Sequence, residues 1–457
     1  MSDTRRAVWR DNFAELKKPL APEEARVEAS RCLYCHDAPC VKACPTRIDV
    51  PRFIRQIAAD DALGAGQTIL EANALGASCA RVCPVEVLCE GACVYHDWHD
   101  KPIQIARLQR RGTDAVSFAG ELPFAAGADT GRRVAVIGAG PAGMSCAAYL
   151  RRLGHAVTIF EKRPKPGGLN TYGVAEYKMT AKTSLEEMRA LQKLGAVLKT
   201  GRAVDAALAA KLLRDFDAVF LGVGLSSAKE LGVPGERLPG VVDALAFIER
   251  VKARDPRLPL SSRSTVVIGG GNTAIDAAAQ SRRAGAETVT LAYRRGREAM
   301  SAYDFEVALA RADGAQVLLH ALPKRILGRD KVSGVEFAPT KTVRGRLVAQ
   351  SKTFVVACDR VIVAIGQDKD RALPRLFGAA LREDGTVRVD ADTLATSNPK
   401  VFAGGDMVNG GREVVFAAAD GKRAAWGIHR FLNPGAAPGP DDAYWVATIP
   451  KAQEASR

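Results

Sequence analysis

The sequence predicts an α/β protein in which a helical, cysteine-bearing N-terminal domain precedes two Rossmann-like dinucleotide-binding domains. Three observations carry that expectation. Eight of the ten cysteines fall in two short runs, Cys32–Cys44 and Cys79–Cys93. The stretch RRVAVIGAGPAGMSCAAYLRRLGHAVTIFEKR, from Arg132, reads as a buried strand, a glycine turn, a helix and a second strand. The stretch RSTVVIGGGNTAIDAAAQSRRAGAETVTLAYRR, from Arg263, repeats that plan. At 457 residues the chain can form several domains, each with its own core.

Composition is that of a globular protein, 47% hydrophobic and 25% charged. No apolar run is long enough for a transmembrane helix, so no membrane association is expected. The opening MSDTRRAVWRDNFAELKKPL lacks the uncharged core of a secretory signal, and the expected location is cytoplasmic. In that setting clustered cysteines read as metal ligands rather than as a disulfide framework. The formal net charge of +14 is spread along the chain, with no basic block interleaved with aromatics. Nucleic acid is therefore not an expected partner; acidic cofactors and an acidic protein surface account for the charge.

Residues 1–118 are rich in helix formers. LAPEEARVEASRC, with Pro and acids at its start, predicts a helix leading into Cys32. AGELPFAAGADT, residues 119–130, reads as a small, flexible linker, which sets the first domain at 1–130. The α/β part divides at 131–242, 243–370 and 371–457. Its tail after Leu432, rich in Pro, Gly and Ala, reads as a loosely packed extension.

In the first run two residues separate Cys32 from Cys35, four separate Cys35 from Cys40, and three separate Cys40 from Cys44, which precedes Pro45. The second run supplies Cys79, Cys83 before Pro84, Cys89 and Cys93. Such spacing lets a loop wrap several thiolates around one cuboidal cluster, and a terminal Cys-Pro is similar to ferredoxin runs whose last cysteine reaches the other cluster. Eight candidates suggest two [4Fe–4S] clusters. Structural zinc and unligated buried thiols are the alternatives; zinc ribbons prefer paired C-x2-C units, and only Cys32 and Cys35 fit.

Gly138, Gly140 and Gly143 form a G-x-G-x-x-G turn, with Pro141 and Ala142 opening a helix whose N-terminus would face a pyrophosphate. Glu161, followed by Lys162, ends the second strand, where a carboxylate can bind ribose hydroxyls. In the second motif Gly269, Gly271 and Ala274 hold the fingerprint positions, and Asn272 and Thr273 open the helix. Arg294 and Arg295 follow its second strand, where an acid would select the 2′-hydroxyl of NAD and an arginine can hold the 2′-phosphate of NADP. On chemistry alone these arginines favour NADP.

The strings EASRCLYCHDAPC, NALGASCARVCP and PIQIARLQR resemble the iron–sulfur domain shared by bacterial glutamate synthase small subunits and the electron-input half of dihydropyrimidine dehydrogenases. Within that family the likeness is greatest to the input subunits of bacterial NAD-dependent dihydropyrimidine dehydrogenase, and it extends to about residue 430. The resemblance implies one cluster on Cys32, Cys35, Cys40 and Gln109, and another on Cys44, Cys83, Cys89 and Cys93. Cys79 is then surplus and rivals Gln109 as a ligand.

The same resemblance assigns FAD to the first glycine turn and NAD(H) to the second, with the nicotinamide domain inserted in the FAD domain. PGGLNTYG, Pro166–Gly173, resembles a flavin loop in which Gly168 and Leu169 approach the dinucleotide. VFAGGDMVNG, Val401–Gly410, resembles a GD motif in which Gly405 and Asp406 meet the ribityl–phosphate region. A helix from about Val414 should point its N-terminus at the ring, although Glu413 stands where the family often has Thr. Lys178 and Val204 are further implied flavin contacts. VIVAIGQ, with Ala364 and Gly366, resembles the strand-turn that closes the nicotinamide site.

No cysteine follows PGGLNTYG, Cys146 reads as core, and Cys358 is the one cysteine of the inserted domain, so no redox disulfide beside the flavin is expected. His36, His96 and His99 read as polar neighbours of the clusters. No side chain is expected to be catalytic, because the cofactors carry the redox chemistry. The implied partner is an FMN- and iron–sulfur-containing catalytic subunit, in a hetero-oligomer, that interconverts uracil or thymine and the 5,6-dihydro forms. The rivals are a glutamate synthase small subunit, a stand-alone NAD(P)H:acceptor oxidoreductase and a non-catalytic zinc-stabilised scaffold.

Overall fold

The computed structural model describes residues 9–119, 122–254 and 262–435. The expected C-terminal extension lies outside the described residues from position 436 onward. The chain forms two compact units. The larger holds Leu16–Thr171, Lys182–Leu225 and the chain from Lys369; the smaller holds the N-terminal residues to Glu15, Tyr172–Ala181 and Ser226–Asp368.

In the larger unit the cysteine-bearing part is helical, as expected. Helix Pro22–Ser30 starts on a proline with Glu23 and Glu24 in its first turn, and the Glu24 carboxylate accepts from the Ala21 amide at 2.9 Å. Acids near a helix start complement its free amides and dipole. Asp49 caps helix Val50–Ala58, which buries Phe53, Ile54 and Ile57. Helices Ala62–Ala72 and Ile105–Ala119 meet at Gly66 and Gly112, where a Cβ on Gly66 would lie 2.5 Å from the Gly112 carbonyl oxygen.

The α/β part of this unit is a parallel sheet in the spatial order Val401–Ala403, Ala218–Leu221, Arg133–Ile137, Ala156–Phe160, Val197–Lys199. Its central strands are apolar runs buried on both faces, as parallel sheets require. Helices Pro141–Arg152 and Val414–Leu432 lie against one another, and a Cβ on Gly421 would sit 2.2 Å from the Ala142 carbonyl oxygen. Within residues 119–130, read as a flexible linker, the described part 122–130 is tied to the sheet-bearing fold. The Gly127 amide donates to Arg151 O at 2.9 Å and the Thr130 amide to Gly154 O at 3.0 Å.

The smaller unit has a second parallel sheet, ordered Val241–Asp243, Arg360–Val363, Ser264–Ile268, Thr288–Ala292, Ala315–Leu318. Val241–Asp243 pairs with Arg360–Val363, so the chain just before residue 243 is already part of this sheet, and the longest segment of the unit runs from Ser226 to Asp368. It also claims part of the stretch assigned to the cysteine domain. Trp9 and Phe13 stack at 4.3 Å and join the apolar core around helix Asn272–Arg283, and Asn12 donates to Arg283 O at 2.9 Å. A four-stranded antiparallel sheet, Ala321–Gly328, Val332–Val343, Arg346–Ala349 and Phe354–Ala357, was not foreseen.

Candidate cofactor sites

The two cysteine runs fold into one apolar core of the larger unit. All the cysteines are free thiols. Cys32, Cys35, Cys40 and Cys93 line one apolar pocket, walled by Ile54 and Ile105. Burial pushes the Cys40 thiol up to about 12, and the neighbouring Cys32 and Cys93 add to the rise. Cys44, Cys79, Cys83 and Cys89 are buried deeper, at 2–9% exposure. The Cys83 thiol is raised first by its hydrogen bond to Cys79 and then by burial; Cys89 is raised by burial and then by Cys44.

This placement differs from the expected ligand sets. Cys93 stands with Cys32, Cys35 and Cys40, not with Cys44, Cys83 and Cys89. The reason is local. The Ala92 amide donates to Leu88 O and the Cys93 amide to Glu90 O, so the chain completes a turn after Cys89 and delivers Cys93 to the pocket wall. Gln109 was expected with the first three cysteines. It is buried and does not line their pocket, and its Nε2 donates at 2.8 Å to the carbonyl of Gly76, the first residue of the helix Gly76–Val82 that bears Cys79 and is followed by Cys83.

Among the described residues no three His, Cys, Asp or Glu side chains converge as ligands of a single metal ion would. A cuboidal cluster has a wider reach, with one thiolate at each iron corner. Four thiols around an apolar pocket match that need, and burial together with neighbouring thiols makes Cys32 and Cys40 harder to ionise: a cationic cluster core would compensate the thiolate charges that the pocket alone disfavours. His36, His96 and His99 are not among the residues lining the pocket.

The first glycine turn is built as the motif requires. Gly138 has φ +98°, and a Cβ there would lie 2.6 Å from Gly222 O. A Cβ on Gly143 would meet Gly138 O at 1.9 Å, so this position sets the close approach of helix to strand. Gly140, the N-cap of helix Pro141–Arg152, supplies no side-chain cap. Glu161 is buried, with Oε2 accepting from the Ala139 amide at 2.8 Å and Oε1 from the Arg163 amide at 2.7 Å; Lys162 is exposed. The carboxylate is thus fixed by the turn it serves.

Three further segments meet at this turn. A Cβ on Gly168 would come within 2.9 Å of the Gly140 Cα, and one on Gly405 within 3.0 Å of the Ala142 Cβ. Asp406 accepts from the Arg412 amide at 3.1 Å, and burial raises its carboxyl to about 6, with Asp420 and Glu413 adding to the rise. Glu413 is the N-cap of helix Val414–Leu432, without a side-chain cap bond. Leu169 is 39% exposed, whereas Asn170 beside it is fully buried, with Nδ2 on Ser78 Oγ at 3.0 Å and Oδ1 lacking any partner. An orphaned buried acceptor beside a glycine cradle fits a bound flavin, whose ring edge offers donors. Asn170 carries no spacing signal and was missed from the sequence. Val204 is partly buried in the core under this sheet. Lys178 belongs to the smaller unit, where Asp276 and Glu306 hold its ammonium at 2.8 and 2.6 Å, so its charge is already matched there.

The second glycine turn opens a cavity of about 560 Å3 in the smaller unit, lined by Gly269, Gly271, Thr273, Arg294, Ala364 and Gly366 among others. Ala274 is buried beneath Gly269, and Asn272 Oδ1 accepts from the Tyr303 amide at 3.2 Å. Of the two arginines only Arg294 lines the cavity; Arg295 is exposed outside it. Tyr293 closes against Gly270, where a Cβ would meet the ring at 2.5 Å.

Residues 9–120 match the family described as dihydropyrimidine dehydrogenase domain II, 4Fe-4S cluster, and residues 132–421 match the pyridine nucleotide-disulphide oxidoreductase family. The chain is 35% identical over 443 residues to the glutamate synthase [NADPH] small chain of Halomonas elongata, covering 92% of this chain and 93% of that one. It is 36% identical over 407 residues to the PreT subunit of NAD-dependent dihydropyrimidine dehydrogenase from Escherichia coli K12, covering 89% and 94%. Among solved structures, Mycobacterium tuberculosis FprA in complex with NADPH shares the fold, with a TM-score of 0.55 at 20% identity over 70% of this chain and 89% of that one. Among the described residues no helix is long and apolar enough to cross a membrane.

Proposed function

The chain belongs to the pyridine nucleotide-disulphide oxidoreductase family and, within it, to the NAD(P)-dependent iron–sulfur flavoproteins that include glutamate synthase small chains and PreT, and from that premise we propose that it is the electron-input subunit of a dihydropyrimidine dehydrogenase. When bound, FAD would accept a hydride from NAD(P)H and the clusters would carry the electrons onward singly. The turn Gly138–Gly143 and its helix N-terminus hold a pyrophosphate, and Glu161, fixed by two amides, accepts from ribose hydroxyls. The N-terminus of helix Val414–Leu432 would bring roughly half a positive charge toward a bound flavin and so favour negative charge on its ring.

For the clusters we assign Cys32, Cys35, Cys40 and Cys93 to one and Cys44, Cys83, Cys89 and Gln109 to the other, with Cys79 the rival to Gln109. The observation that carries the direction of flow is the packing of the flavin helix. Val414, Val415 and Phe416 enter the apolar core that holds the cysteines, and Glu413 acts on Cys83. Glu413, at the start of that helix, links it to Cys83 of the deep group, which we take as the group that adjoins the flavin, with the shallower pocket of Cys32 as the exit toward a partner. The implied partner holds FMN and iron–sulfur centres and reduces uracil or thymine.

A second reading, a glutamate synthase small chain, is favoured by Arg294 at the rim of the nucleotide cavity, because its relative is named for NADPH. Co-purification separates the two. The proposal expects an FMN-bearing subunit and NADH-dependent uracil reduction by the mixture. Recovery of a glutamine-dependent large subunit, with glutamate formed from NADPH, would establish the second reading instead.

A further inference from the structure

We propose that the ammonium of Lys422 is a fixed positive charge that raises the reduction potential of the cluster held by Cys44. The inference rests on the reading of Cys44 as a cluster ligand. Lys422 lies in the flavin helix Val414–Leu432 and is 2% exposed, although lysine is among the residues least often buried. Its Nζ donates to Thr46 O at 3.0 Å and to Ala72 O at 2.9 Å. Thr46 in turn places its Oγ1 3.3 Å from the Cys44 sulfur. The side chain thus leaves the flavin helix and ends in the Cys44–Thr46 segment, and neither carbonyl needs a charged donor for satisfaction alone.

Burial disfavours the ammonium and Arg152 adds to that, whereas the charge on Cys44 favours it. A cluster core held by thiolates is net negative, so loading the site would keep the amine protonated. Reduction adds one electron and breaks no bond. The added negative charge meets a cation already in place, in surroundings of low polarity where Coulomb terms are large. The opposing possibility is a purely mechanical one, in which Lys422 only pins the helix to the loop through its two carbonyls. Charge and hydrogen bonding can be separated by substitution.

The full chain, purified anaerobically, is first assayed for iron and sulfide. About eight of each are expected for two clusters, and a shortfall in the unaltered protein would mean that the cluster reading itself has failed. Reduction by dithionite is then followed by electron paramagnetic resonance against potential in the unaltered protein, K422R, K422Q and K422M. In both neutral variants one cluster signal should move to lower potential, its reduction equilibrium falling tenfold or more, which is ~59 mV for one electron. The other signal should stay, and K422R should keep both. K422Q retains donors for the carbonyls, so a shift there is owed to charge. Neutral variants with both clusters present and both potentials unchanged would overturn the proposal, as would an equal shift in both signals. If both neutral variants lose iron, K422R decides: unchanged potentials support a role for charge, and a tenfold fall in one signal overturns it.

Discussion

The two groups of thiols differ in depth and in company. Cys32, Cys35, Cys40 and Cys93 are half-buried around an apolar pocket. Cys44, Cys83 and Cys89 are buried to 8–9% exposure, with Thr46 beside Cys44 and the flavin helix, with its buried Lys422, packed on the same core. Equal chemistry in unequal surroundings is how one protein gives similar clusters different potentials. A shallow group suits exchange with another protein, and a deep one beside the flavin helix suits intake from the flavin.

That contrast is broken most severely by removing a deep ligand. Cys89→Ala should abolish partner-dependent uracil reduction while leaving the bleaching of FAD by NADH largely intact, because hydride transfer needs only the two nucleotide domains. Stopped-flow absorbance and coupled turnover on the same preparations measure both. Full turnover in a variant that has lost its cluster would show another exit for electrons.

The grouping itself is sharpened by comparing Cys93→Ala with Cys44→Ala. Each should lose about half the iron, and the lost resonance signals should be complementary. Cys93→Ala should match Cys32→Ala. If it matched Cys44→Ala instead, the pocket would have been misread.

How far the sequence was legible follows the same lines. The glycine turns and the two cysteine runs were legible because fixed spacing along the chain dictates local geometry. The partner of Cys93 was not, since four residues after Cys89 can close a turn toward either group, and hydrogen bonds at Ala92 and Cys93 decide it. Gln109 was located by resemblance, yet its group depended on which helix it faces across the core. Lys422 had a faint signal, a lysine amid the alanine-rich AAADGKRAAWG. Lys178 looked available in sequence because Asp276 and Glu306, which bind it, are about a hundred residues away. Trp9 and Phe13 joined the smaller unit for the same reason: long-range packing leaves no local period.

A milder change separates the flavin from both groups. Glu161→Ala removes the acceptor for the Ala139 and Arg163 amides as well as for ribose. Charge-assisted bonds of this kind should cost roughly 1.5–3 kcal/mol of FAD binding. Both cluster signals should persist in the flavin-depleted protein. Their loss would mean that the flavin site and the cysteine core fold as one, and equilibrium dialysis of FAD with iron analysis measures the two effects together.

The smallest effect is expected at Cys79, the most deeply buried member of the second run. Its thiol is hydrogen-bonded to Cys83, and Gln109 donates to the Gly76 carbonyl that begins the same helix. If Gln109 completes the deep group, Cys79 contributes only packing and one hydrogen bond. Cys79→Ala should then keep both clusters, at a stability cost of about 1 kcal/mol. Gln109→Ala, by contrast, should release the deep group's iron or change its resonance. The reverse outcome, with iron lost from Cys79→Ala and retained in Gln109→Ala, would transfer the ligand role to the thiol. It would also make the two groups chemically alike, each held by four cysteines. The contrast in potential would then rest on burial and on Lys422 alone, because a neutral amide in place of one thiolate would no longer lower the deep group's negative charge.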